Sequence, residues 1–176
     1  MNIRAVLAVL IAAQAAAPAW AQDLKEGSVR CFGRAYSAEH MADHPGQRVV
    51  EMTLVLFTQS YDGGESHHAI VRAMMRDRFG EFFANGAICD TAEGGFACGI
   101  ECDGGVFDVD LPADGTAMLR NEDWGFVLYG GCGEDVAEDR AVRIEADAEH
   151  RAFQLYPLPV EACPAAMWQT YDEYAE

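Results

Sequence analysis

The densest run of chemically capable side chains is FACGIECDGGVFDVD, Phe96 to Asp110, which sets two cysteines among acids and glycines. Cys98 and Cys102 sit four residues apart, and three readings suit such a stretch: a redox thiol pair, a metal loop, or an ordinary piece of sheet that happens to be acidic. Treating Asp103-Gly104 as the centre of a type I′ hairpin turn places Ile100 opposite Phe107, Cys98 opposite Val109 and Phe96 opposite Leu111. Those six residues then share an inner face, while Glu101, Asp108 and Asp110 share the outer one. Residues four apart in a strand are separated by ~13 Å, whereas a disulfide needs Cα atoms within roughly 7 Å. Cys98 and Cys102 are therefore expected to bond elsewhere, and no Cys-x-x-Cys motif supports thiol exchange.

Other chemistry finds weaker footing. The acids near Asp108 and Asp110 lack calcium-loop spacing, because Asp114 in DVDLPADG falls two residues late and a proline intervenes. His40 and His44 are four apart, which places two imidazoles on one helix face, yet the Glu of His-Glu-x-x-His is missing and His44 precedes Pro45. They stand as weak metal candidates. The stretch YDGGESHH reads as a polar loop; if it enters a strand, His67 and His68 point to opposite faces and cannot share an ion. Four serines remain beyond residue 21, none in Gly-x-Ser-x-Gly, and Lys25 is the sole lysine. No phosphate-cradling glycine loop is seen. We expect no catalytic residues and no cofactor.

The chain opens MNIRAVLAVLIAAQAAAPAWAQ, with Arg4 before an apolar run and Ala19-Trp20-Ala21 as a small-x-small cleavage site. This reads as a signal peptide over 1–21, with one all-β domain over 22–176, no membrane anchor, and a periplasmic or secreted location. All six cysteines lie beyond it, so disulfides are expected, with 15 connectivities open. A loop at Glu93-Gly94 makes Cys89 and Cys98 cross-strand neighbours, though with Asn85 inside and Ile88 outside. Cys31 and Cys163 would staple the ends. Cys102 and Cys132, each beside a glycine turn, form the third pair.

Charge narrows the partners. Without Arg4 the chain carries 11 basic and 29 acidic residues, and between Phe79 and Asp139 Arg120 is the only base. Such a field repels nucleic acid and anionic membranes; it suits a solvated acidic surface or a cationic partner. The acidic face would comprise Glu101, Asp103, Asp108, Asp110 and Asp114 together with Glu134, Asp135, Glu138 and Asp139.

The elements that must position these residues are mostly strands. Ser37 caps one or two helical turns that Pro45-Gly46 ends. In RVVEMTLVLF, Val50, Met52, Leu54 and Leu56 alternate with Glu51 and Thr53; Val142/Ile144 and Phe153/Leu155 repeat the pattern. The segment 66–79 fits either a strand or a short helix. Trp124 to Tyr129 is apolar on both faces, as in a covered strand. This makes eight or nine short antiparallel strands in a meander, forming a barrel or a sandwich. In outline it resembles the lipocalin and wider calycin barrels, in architecture alone, since their Gly-x-Trp signature is absent from the first strand.

Two binding functions follow. The expected one is a non-catalytic protein whose acidic face engages a cationic protein, as small exported barrels that block cationic cell-wall hydrolases do by analogy. The alternative is a barrel holding a small apolar ligand among Met52, Leu54, Leu56, Val71, Met75, Phe107, Val109, Phe126, Leu128, Phe153 and Leu155. A weak metal-binding role through His40 and His44 stands third.

Overall fold

The computed structural model describes residues 24, 27–61, 64–128 and 141–163. Among them are nine antiparallel strands, β1 (Val29–Ala35), β2 (Val49–Tyr61), β3 (Gly64–Met75), β4 (Phe82–Ala92), β5 (Gly95–Ile100), β6 (Gly105–Asp110), β7 (Ala117–Leu128), β8 (Val142–Ile144) and β9 (Ala152–Leu158), with one helix, α1 (Ala38–Asp43). The sheet runs β6-β5-β4-β3-β2-β1-β9-β7, and pairing of β6 with β7 closes it into an eight-stranded barrel. The ninth strand, β8, pairs with Phe126–Leu128 beyond the closed ring. Closure leaves the ring without a free sheet edge. The signal-peptide reading, Asp62, Cys132, and the acids Glu134, Asp135, Glu138 and Asp139 lie outside the described residues.

Strand alternation builds the core. Met52, Leu54 and Leu56 face inward from β2, opposite Ala73, Val71 and Ala69 of β3. Val50 does not join them. A register shift between Val49 and Glu51 turns Val49 into the core instead. The segment 66–79 resolves as strand β3, followed by a 3-10 turn at Arg76–Arg78. Ser37 caps α1 as expected, its Oγ accepting the backbone N–H of His40.

The hairpin around residue 103 differs from its sequence reading. The ladder pairs Cys98 with Phe107 and Phe96 with Val109, and it ends at Ile100 with Gly105. The connection is thus a four-residue turn over 101–104, and the register lies two residues from the expected one. A shift of two preserves the faces, so Phe96, Cys98, Ile100, Phe107, Val109 and Leu111 are all buried in the core. Left-handed backbone at Cys102 (φ 58°) and Asp103 (φ 59°) takes both out of the strand. Gly105 (φ +89°) explains why the turn stops there, because a Cβ on it would fall 2.2 Å from the carbonyl oxygen of Gly125. Trp124 also departs from expectation. Instead of lying in a strand covered on both faces, it is 80% exposed, beside the left-handed Gly125.

Three of the expected cysteine features are visible. Cys31 bonds Cys163 and Cys89 bonds Cys98, with Cα atoms 6.2 and 4.1 Å apart. Cys102 is disulfide-bonded as well. These bonds fit an oxidising compartment. No helix among the described residues is long and apolar enough to cross a membrane.

Candidate functional site

The eleven side chains read from sequence as a ligand pocket, from Met52 and Leu54 through Phe107 and Phe126 to Leu155, are all packed into the core at no more than 1% exposure. Phe107 and Phe126 meet there with ring centroids 5.4 Å apart. All eleven belong to one buried cluster inside the barrel, where close-packed side chains surround them. Among the described residues, concavities lie at one end of the barrel and along one seam.

The end cavity, about 490 Å³, is lined by Leu24, Arg30, Glu65, His67, Phe96 and Leu111, with Thr91, Ala92, Gly94 and Gly95 at its rim. YDGGESHH is not a loop throughout: Glu65 to His68 belong to β3, and His67 and His68 indeed point to opposite faces. His67 lies opposite Thr58 and faces inward with it, while His68 stacks on Phe57 outside at 5.1 Å. Thr58 Oγ donates to the carbonyl of Leu24 at 3.2 Å. A hydroxyl has one proton, so the 2.8 Å contact with His67 must run from His67 Nδ1–H to Thr58 Oγ. That relay leaves Nε2 as the acceptor His67 brings to the cavity, and the ring leans on Phe96 at 5.2 Å.

The seam lies beside it. β9 stops pairing with β1 at Cys31 opposite Leu158, so Val29 and Arg30 run past its end. An open groove of about 370 Å³ follows, lined by Val29, Arg30, Phe32, Leu111, Pro157, Leu158 and Val160. Sequence reasoning missed Arg30. The usable signal was its spacing of two from Phe32, which places it, like Arg34, on the inward face of β1.

The outer wall of β4, β5 and β6 carries the described part of the acidic face. Asp90 and Asp108 flank Ala97 in one row across the three strands, and Ile88 and Val106 flank Gly99 in the next. The outward side of β5 is thus Gly95, Ala97 and Gly99, a shallow trough between acids and two aliphatic residues exposed at 45% and 48%. Glu101 and Asp103 project from the adjoining turn. Two of the expected acids have local partners. Asp110 pairs with Arg120, and Asp114 accepts from both the hydroxyl and the backbone N–H of Thr116. The Thr116 hydroxyl and then its N–H hold the Asp114 carboxyl below its ordinary pKa.

The opposite end of the barrel gathers His40, His44 and His150. His40 Nε2 donates to Gln47 Oε1, whose amide donates to Val49 O, and His44 Nδ1 donates to Glu149 Oε2. The two helix histidines are stacked, centroids 4.3 Å apart and planes 23° from parallel. Lone pairs lie in the ring planes, so near-parallel stacked rings cannot both aim at one ion ~2 Å from each nitrogen. His150 Nε2 accepts the N–H of Arg48, and its Nδ1–H donates to Asp147. Both nitrogens are used, giving His150 a structural task. Among the described residues no three of His, Cys, Asp or Glu gather to hold a metal.

Comparison with known proteins returns no match among family models, curated proteins or solved structures.

Proposed function

We propose that this chain is an exported, non-catalytic binding protein whose β4–β5–β6 wall engages a cationic protein. The observation that carries this reading is the Asp90–Ala97–Asp108 row beside Ile88–Gly99–Val106. Charge alone would attract any base without selecting among them. Here the acids border a trough that a protruding basic loop can enter, with two aliphatic side chains to bury on contact. The wall is built on paired strands of a closed barrel, so its shape is held before a partner arrives.

The test is calorimetry with small basic proteins, lysozyme and cytochrome c, across a salt series. Association should weaken as ionic strength shortens the Debye length from ~30 Å at 0.01 M to ~8 Å at 0.15 M. Replacing Ala97 with Trp, which fills the trough without touching charge, should abolish binding to the partner that fits. Binding indifferent to both salt and Ala97→Trp would end this reading.

A further inference from the structure

Arg30 and Leu111 line both the end cavity and the seam groove, so the two concavities meet at a cation. We propose that they form one groove for a small amphipathic carboxylate, its acid group on Arg30 and its apolar body along the seam. This site is separate from the acidic wall.

Arg30 lies directly opposite Leu56 in the β1–β2 ladder and so faces inward at the mouth. Its planar guanidinium matches a carboxylate in a two-point contact, and its five donors serve such a ligand alongside other neighbours. His67, with Nδ1–H committed to Thr58, supplies an acceptor for a hydroxyl or a protonated group near the head. Past Arg30, the surface offered by Val29, Phe32, Leu111, Pro157, Leu158 and Val160 is apolar. A wholly apolar ligand would make no use of the guanidinium's donors, and a wholly polar one would leave the seam unfilled. The volumes, about 490 and 370 Å³, fall in the range of small-molecule sites.

The field of the molecule gives this site a signature. With a formal net charge of −17, the protein repels carboxylates at long range, so only short contacts hold one. Added salt screens the repulsion more than the contact, and affinity should hold or rise with ionic strength. A cationic partner on the outer wall behaves oppositely.

The experiment titrates the disulfide-bonded protein with decanoate and with decanol, each below its aggregation limit, by calorimetry and by amide chemical shifts. Decanoate should bind about tenfold or more tightly than decanol, the range of a charge-assisted hydrogen bond. Arg30→Gln should lower decanoate affinity to the decanol level and leave decanol unchanged. Val160→Trp, placed on an exposed residue that lines the seam, should weaken both. The proposal is overturned if the two probes bind alike, if neither binds at millimolar concentration, or if Arg30→Gln keeps the original affinity.

Discussion

Cys89 lies directly opposite Cys98 in the β4–β5 ladder, and their disulfide sits on the core face of the barrel. The bridge spans the two-residue turn at Glu93 and Gly94, a sequence separation of 9. The other described pair, Cys31–Cys163, closes a separation of 132 and joins β1 to the segment after β9. In the chain-entropy account, a bridge restricts the unfolded chain more as its loop lengthens, giving about 3 kcal/mol for the short loop and about 5 kcal/mol for the long one. Cys31→Ala/Cys163→Ala should therefore lower stability more than Cys89→Ala/Cys98→Ala in urea unfolding. The reverse order would show that native packing around the core-facing bridge matters more than loop length.

Gly105 is expected to tolerate no side chain. Its φ of +89° is left-handed, and a Cβ would meet the backbone of Gly125 and Phe126. Gly105→Ala combines conformational strain with a clash against a paired strand, so a loss of about 1–3 kcal/mol or more is expected. Gly80→Ala is the control, since it also has a positive φ but open space around it. Thermal unfolding of both variants separates the contact from the conformation: equal losses would leave strain as the sole cause.

The antiparallel strands and their inner faces were legible, with barrel and sandwich both left open, because faces are read from a period of two and an error of two residues in register leaves faces unchanged. That is why a turn expected at Asp103-Gly104 and the observed turn over 101–104 put Phe96, Phe107 and Val109 on the same inner face. Glu93-Gly94 was read in its true register because the turn there has two residues. The deviations at Val50 and Trp124 both arise at ladder irregularities, where alternation breaks and no local pattern says so. The end cavity was not legible. Leu24, Arg30, His67, Phe96 and Leu111 come from separate elements, and only barrel closure brings them together. The histidine stack of α1 was half legible, in that spacing placed His40 and His44 on one face but could not report their stacking.

Acidification should weaken the fold in two stages. Burial, followed by the neighbouring His67, pushes the pKa of His68 below its ordinary value. The folded state then binds fewer protons than the unfolded chain. Its contribution is complete above the unfolded value of about 6.5 and is lost as pH falls through the lower folded value. For Asp147, burial pushes the pKa up, but hydrogen bonds from the His150 side chain and the Glu149 backbone outweigh it and the net shift is downward. That contribution is present above an unfolded value of about 3.9 and disappears below it. His68→Phe keeps the stack on Phe57 and should flatten the first stage only. Urea midpoints between pH 8 and pH 3 test this, and an unchanged slope near pH 6 in His68→Phe would refute it.

The acids of the outer wall should not be equivalent. Asp114 is committed to Thr116, and Asp110 to Arg120, whose side chains are already partly neutralised by each other. Asp90 lies on the open edge of the trough, and Asp108 opposite it across Ala97. Asp90→Asn/Asp108→Asn should therefore weaken a basic partner and flatten its salt dependence, with little stability change from Asp90, which is exposed. Asp114→Asn should do the reverse, keeping the partner but loosening the turn before β7 through a poorer acceptor for Thr116. Measuring affinity and urea midpoint on both variants decides the matter. If both lose affinity equally, the wall acts through its summed field, and the trough beside Ala97 has no selecting role.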